Sequence, residues 1–245
     1  MVVFPHGRAT DADLEALKRL KVSSLNIRQS HVTDRGLAHL QGMTTLTVLV
    51  LDGTPVTDEG LEHLKKLTAL RTLTFGEQHV TDAGLDHLRD LTALNALHVS
   101  GDRITDQGLA VLRRFGKLNT LVIGGPNITD AGLENLKGLT ELRVLGVSSP
   151  QVTDKGLENL TGLTNLSELV LSGCPKITGA GLGRLEGLAR LRSLYLQNCT
   201  AIDDAGLERL KALASLETLD LKGTGVTDAG VNGIQQAIPN LRVSR

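Results

Sequence analysis

The sequence predicts an α/β solenoid, a right-handed stack of about ten strand-and-helix repeats of 24 or 25 residues each. Three observations carry this prediction. The string TDxGL recurs from one end of the chain to the other, and within each period the apolar spacing changes from steps of three to alternation. The apolar residues are also almost purely aliphatic, with no Trp, one Tyr and three Phe in 245 residues. A core of Leu, Ile and Val suits a stack of near-identical layers, because each layer must offer the same branched shape to the next.

Each layer opens on a leucine: Leu14, Leu37, Leu61, Leu85, Leu109, Leu133, Leu157, Leu182 and Leu207, with Val231 in a tenth and incomplete copy. From that residue Leu61, Leu64 and Leu67 step by three among the helix formers Glu62, Lys65 and Lys66. This spacing predicts a short amphipathic helix of about two to three turns. Thr81 and Asp82 fit the start of the next helix, where an oxygen accepts from unpaired N–H groups and a negative charge suits the dipole. Glycine two residues after the aspartate, as at Gly84 or Gly132, admits a close approach by the neighbouring repeat. The second part of the period, as in Leu118-Asn119-Thr120-Leu121-Val122-Ile123, alternates and predicts a strand of about three to five residues. With so short a period, successive strands lie side by side in parallel, each returning through its helix.

The unchanging period predicts a single domain over residues 1–245, with atypical terminal repeats at about 1–31 and 226–245. In the first repeat Asp13 stands where Gly is usual, and Leu20 and Leu25 are five residues apart where Met43 and Leu49 are six apart. The last repeat breaks its rhythm at Ala237-Ile238-Pro239.

Leu46-x-x-Leu49-x-Leu51-x-x-Thr54 and Leu166-x-x-Leu169-x-Leu171-x-x-Cys174 resemble the leucine-rich repeat consensus, and the resemblance covers essentially the whole chain. It implies the β/α horseshoe of that superfamily. The segment from Leu171 through Cys174-Pro175 to Thr178 looks like the cysteine-containing subclass known from the repeat halves of F-box proteins, here without an F-box segment. Other repeats resemble related bacterial repeat proteins. The resemblance implies recognition of another protein, either by this chain alone or as the recognition part of a larger one such as a substrate adaptor.

The 26 Lys and Arg residues against 27 Asp and Glu leave a net charge of -1, so no global field attracts a phosphate backbone or acidic lipid. Neither a nucleic acid nor a membrane is expected as a partner. The N-terminal stretch has no apolar run of signal-peptide length, and two cysteines do not make a disulfide framework, so a cytoplasmic monomer is the expectation.

No nucleophile elbow, P-loop, CxxC pair or kinase signature occurs, and the sequence predicts a protein without catalytic residues or cofactor. Three groupings invite chemistry. His39, His63 and His87 share one column of successive helices, but helices pack about 8–10 Å apart and zinc needs every ligand nitrogen within about 2.1 Å. The column continues as Val111, Asn135, Asn159, Arg184 and Arg209, so it reads as a partly exposed helix position and no metal site is predicted. Cys174 and Cys199 occupy equivalent positions in adjacent repeats, within backbone reach of a disulfide, and read as small buried residues filling a turn. The recurring aspartates Asp34, Asp58, Asp82, Asp106, Asp130, Asp154, Asp204 and Asp228 come one per repeat and read as helix caps, with Gly179 replacing the acid once.

What remains for function is the concave side of the sheet. If Leu49 and Leu51 point inward, Val48, Val50 and Asp52 point out, and the central outward column runs Asn26, Val50, Thr74, His98, Val122, Gly146, Val170, Tyr195 and Asp220. Its C-terminal end has the most binding character. Glu168, Ser193, Tyr195, Gln197, Thr218, Asp220 and Lys222 combine one aromatic anchor with mixed charge and are the candidate partner-binding residues. The loops Glu77-Gln78-His79 and Gly125-Pro126-Asn127 are second candidates, and a structural spacer with no dedicated ligand is the alternative function.

Overall fold

Alternating burial makes the strands of this protein, and three-residue turns bring the chain back to start each new one. The computed structural model describes residues 2–4, 7–76 and 79–245, divided into two units, Met1–Asn119 and Thr120–Arg245. The first unit runs β1 (Val2–Val3), α1 (Asp11–Leu17), β2 (Ser24–Asn26), α2 (Asp34–Ala38), β3 (Val48–Val50), α3 (Asp58–Glu62), β4 (Thr72–Gly76), α4 (Asp82–Asp86) and β5 (Ala96–Ser100), then a 3₁₀ segment, Gly108–Arg114. In the second unit come β6 (Thr120–Gly124), α5 (Asp130–Leu133), β7 (Val144–Ser148), α6 (Asp154–Leu157), β8 (Glu168–Leu171), α7 (Gly179–Leu182), β9 (Ser193–Tyr195), α8 (Asp204–Leu210), β10 (Thr218–Asp220), α9 (Asp228–Ala237) and β11 (Arg242–Ser244). Within each unit every strand pairs in parallel with the one before it, residue for residue of the repeat: Leu25, Leu49, Leu73 and Leu97 are successive partners in the first, and Leu121, Leu145, Leu169, Leu194 and Leu219 in the second. All nine of these leucines are buried. The strand residues on either side of them alternate to the free face, as the sequence pattern requires.

The helices are shorter than the predicted two to three turns. Most have four or five α-helical residues, and several continue as 3₁₀ turns such as Glu134–Leu136 and Glu158–Leu160. The reason lies in the spacing of three, which matches the 3.0 residues per turn of a 3₁₀ helix better than the α-helical period. Leu64 N–H donates to Leu61 C=O at 3.0 Å, Leu67 to Leu64 at 2.8 Å and Leu70 to Leu67 at 2.9 Å, so four leucines stack on one side through successive three-residue turns. Each is buried, and the intervening Glu62, Lys65, Lys66 and Thr68 are exposed.

The recurring aspartate does not cap its own helix. That work falls to the threonine before it: Thr81, in extended conformation, accepts from the Ala83 N–H at 3.2 Å. The aspartate reaches the next repeat, where Asp58 takes the Thr81 N–H on Oδ1 at 2.8 Å and the Thr81 hydroxyl on Oδ2 at 2.6 Å. The same pair of bonds joins Asp11 to Thr33, Asp34 to Thr57 and Asp82 to Thr105 in the first unit. In the second unit it joins Asp130 to Thr153, Asp154 to Thr178 and Asp204 to Thr227. The hydroxyl and amide of Thr227 hold the Asp204 carboxyl below its ordinary pKa, with a smaller contribution from Arg245. A depressed carboxyl adds stability above its unfolded pKa and loses that contribution as the pH falls through the folded one. The glycine of TDxG is now explained. A Cβ on Gly60, Gly84, Gly181 or Gly230 would overlap the carboxylate of the preceding repeat's aspartate.

Exceptions to the motif obey the same physics. Gly179 carries no carboxylate, and the next helix is capped by Asp203 in place of threonine, with Gly206 N–H donating to it at 3.0 Å. A side chain at 179 would overlap the Gly206 backbone at its Cα. In the first described repeat Asp13 stands at the glycine position and closes a capping box with Thr10, accepting from its N–H and hydroxyl at 2.8 Å each. Asp228 forms an ion pair with Arg245 at 2.7 Å. The spacing from Leu20 is also resolved: Leu20 is 57% exposed, and Val22, 4% exposed, takes the core position. Both chain ends contribute strands, β1 against β2 and β11 against β10.

Candidate functional site

The seven candidate residues fall together in the second unit. Glu168, Ser193 and Thr218 are register partners across β8, β9 and β10, and Val170, Tyr195 and Asp220 form the next row. Gln197 follows one row further along, where its side-chain N–H donates to Asp220 Oδ2 at 2.6 Å. Asp220 Oδ1 accepts from the Lys222 backbone N–H at 3.0 Å. Burial works against the Asp220 charge, but the Lys222 amide, the Gln197 side chain and the Ser244 hydroxyl outweigh it and hold the pKa below the ordinary carboxylate value. Asp220 is therefore an ionised group whose oxygens are already engaged, and it contributes mainly by fixing Gln197.

Tyr195 stands differently. Its ring is half-buried in the centre of the patch, and its hydroxyl has no hydrogen-bond partner among the described residues. Glu168 likewise has no side-chain partner there, and Lys222 extends into solvent at the rim. The patch thus has a rigid aromatic centre, a free carboxylate on one side and a free ammonium on the other.

The first unit places a second polar group on the same face of its own sheet. Thr74 donates its hydroxyl to Asp52 Oδ2 at 2.6 Å, and His98 Nδ1 lies 3.5 Å from Asp52 Oδ1. The sequence puts Thr74, His98 and Asp52 on the outward side but does not signal the contacts among them. Of the loop candidates, Glu77 and Gln78 lie outside the described residues, and Asn127 is engaged in contacts of its own.

The groupings that invited chemistry have structural roles. His39, His63 and His87 are half-buried at the ends of α2, α3 and α4, and His63 Nδ1 is bonded to the side chain of Gln41 at 2.6 Å. Further along the column Arg184 and Arg209 are exposed, as the sequence reading expects, while Val111, Asn135 and Asn159 before them are buried. Asn135 and Asn159 are 5% and 8% exposed, and their amides donate to the carbonyls of Gly132 and Asp130 at 3.0 and 3.2 Å. Burial is tolerated because those bonds are made. Among the described residues no group of three or more His, Cys, Asp or Glu could hold a metal ion. Cys174 and Cys199 are free, fully buried thiols. Cys199 donates to Leu171 C=O at 2.9 Å, and hydrogen bonding with the Cys174 thiol together with burial pushes its pKa up.

No helix among the described residues is long and apolar enough to cross a membrane. A family model described as Leucine Rich repeat matches residues 42–65, 190–211 and 212–234. A comparison with curated protein sequences finds no match. Among solved structures the chain is similar to an internalin from Listeria monocytogenes, with a TM-score of 0.65 and 22% identity over 95% of this chain and 76% of that one. It is also similar to a leucine-rich repeat protein of Leptospira interrogans, with a TM-score of 0.67 and 17% identity over 96% of this chain and 57% of that one. The yeast complex of Rad7 and Elc1 gives a TM-score of 0.60 and 20% identity over 96% of this chain and 78% of that one. Identities this low speak for the fold alone, and they agree with the repeat matched by sequence and with the strand register in each unit. The chain thus carries leucine-rich repeats, matched by sequence at residues 42–65, 190–211 and 212–234.

Proposed function

We propose that this chain is a non-enzymatic protein-interaction module or scaffold that binds a protein partner through the free face of β8, β9 and β10 and its flanking loops. The observation that carries the reading is Tyr195, a half-buried ring with an unpartnered hydroxyl at the centre of a patch edged by Glu168 and Lys222. A tyrosine so placed buries a large rigid surface at little entropic cost and satisfies its hydroxyl on the partner. A neighbour of the same fold that was solved as a complex, that of Rad7 with Elc1, supports the general mode. The proposal takes the chain to act in the cytoplasm as a monomer, without nucleic acid, membrane or cofactor.

The test is a pull-down from native cytosol followed by titration calorimetry with the recovered partner. Tyr195→Ala is expected to weaken binding by about 1–4 kcal/mol while leaving the melting temperature nearly unchanged. If affinity survives both Tyr195→Ala and Asp220→Lys, the partner binds elsewhere and the loop at Gly125-Pro126-Asn127 becomes the better candidate.

The single-domain reading of residues 1–245 belongs to the same proposal. Its support is the period, since Leu109 to Leu133 is the same 24 residues as Leu85 to Leu109. Scanning calorimetry is expected to show one cooperative transition. Two separated transitions would make Met1–Asn119 and Thr120–Arg245 independent domains.

A further inference from the structure

Beside the patch just described, at the edge of the second unit where the chain enters its strands, lies a cleft of about 310 Å³. Its basic lining comes from two repeats, Arg143 directly before β7 in one, and Arg192 directly before β9 with Arg190 two residues earlier in the other. All three arginines are exposed. Arg192 forms an ion pair with Glu217, and Arg190 donates to the neutral Asn165 side chain at 2.8 Å, which fixes its direction and leaves its charge uncompensated. Arg143 has no side-chain partner among the described residues.

The other polar groups of the cleft do not compete for an anion. Ser167 donates its hydroxyl to Arg143 C=O at 3.1 Å and Ser215 to Ala189 C=O at 2.7 Å, while Asn165 donates its amide to Thr140 C=O at 2.9 Å. Both hydroxyls and one Asn165 N–H are spent on the backbone, so most of the free N–H groups lining the cleft belong to guanidinium. A planar guanidinium matches the paired oxygens of a carboxylate or phosphoryl group. In a chain with a net charge of -1, two guanidiniums without an acidic partner in one cleft are a local feature of this edge.

A further observation points to a polypeptide instead of a free ion. Arg192 and Ser215 also line an adjoining cleft of about 330 Å³, whose far wall includes the exposed Ala214, Ala237 and Pro239. The basic cleft thus runs into one of mixed lining, where Lys211 and Glu217 stand beside Ala214, Ala237 and Pro239, which suits an extended segment carrying an acidic group followed by a small apolar side chain.

We propose that this edge of the second unit, at Arg143, Arg190 and Arg192, is a docking site for an anionic segment of a protein, whose carboxylate or phosphoryl group sits among the three guanidiniums. None of these residues belongs to the Tyr195 patch, so the two surfaces stand or fall separately.

The experiment titrates the full-length chain at low salt with three fluorescent peptides of equal length: one with two glutamates before a leucine, one with phosphoserine before the leucine, and one with two glutamines. The tighter of the two anionic peptides, whichever it is, is expected to bind at least about tenfold more tightly than the neutral one. Its identity distinguishes carboxylate from phosphoryl recognition. Arg143→Gln, which breaks no contact of the folded chain, is expected to weaken anionic binding by about threefold or more. Arg143→Gln, Arg190→Gln and Arg192→Gln together should remove the preference, with folding checked by thermal melting. Tyr195→Ala should leave it intact. A control with Arg113→Gln, Lys137→Gln and Lys155→Gln, all exposed elsewhere, should also retain it. Equal affinity for anionic and neutral peptides overturns the proposal, as does an equal loss in the control and cleft variants.

Discussion

Gly84→Ala is expected to destabilise the protein by about 2–4 kcal/mol, although the same exchange inside an ordinary helix is stabilising by roughly 1 kcal/mol. Gly84 lies within α4 at an ordinary helical φ, so alanine strains no backbone angle. The cost comes from Asp58, whose carboxylate occupies the space the new methyl group needs. Displacing it breaks the bonds to the Thr81 N–H and hydroxyl, and a charged group's hydrogen bond contributes about 1.5–3 kcal/mol. The prediction carries a sign change. In an Asp58→Ala background, itself destabilised by the loss of those bonds, Gly84→Ala should be close to neutral or stabilising, since the oxygen it would meet is gone. Urea denaturation of the four proteins measures the coupling. The same loss in both backgrounds would mean that the glycine is there for another reason.

The second large effect is expected at Leu121. It is 0% exposed in β6 and is the register partner of the equally buried Leu145 in β7. Leu121→Ala should cost about 2–5 kcal/mol, the lost transfer of a buried side chain plus the cavity left between layers that cannot collapse independently. Lys66→Ala, on the exposed side of the three-residue turns, should fall within about 0.5 kcal/mol of neutral. Comparable losses in the two variants would contradict the division of the repeat into inward and outward positions.

Most of the fold was legible in the sequence because the repeat states each position ten times over. Leucines at fixed offsets, alternation at the strand and glycine after TD all carried through to the parallel register. The role of the aspartate was not legible, because a cap and an inter-repeat bond both place a carboxylate at a helix start. The covariation of Gly179 with Asp203 in the next repeat was the available signal. The 3₁₀ turns were implied by the leucine step of three but masked by the helix-forming residues between. At the candidate site, the rows through Tyr195 and Asp220 follow from alternation alone. The engagement of Asp220 by Gln197 does not, since that bond depends on the direction a side chain takes across two strands. Arg143, Arg190 and Arg192 escaped notice because Arg190 sits at a different offset from the other two, and only the stacking of repeats brings them to one cleft.

The central functional claim rests on one side chain, and the composition makes that side chain directly measurable. Tyr195 is the only tyrosine in a chain without tryptophan. Nitration with tetranitromethane, followed by mass spectrometry of the peptide containing residue 195, therefore reports the accessibility of this ring alone. Saturation with the partner recovered from cytosol is predicted to suppress nitration of Tyr195 in proportion to the fraction bound. A nitration rate that stays the same at full occupancy would place the partner away from β8, β9 and β10 and contradict the account.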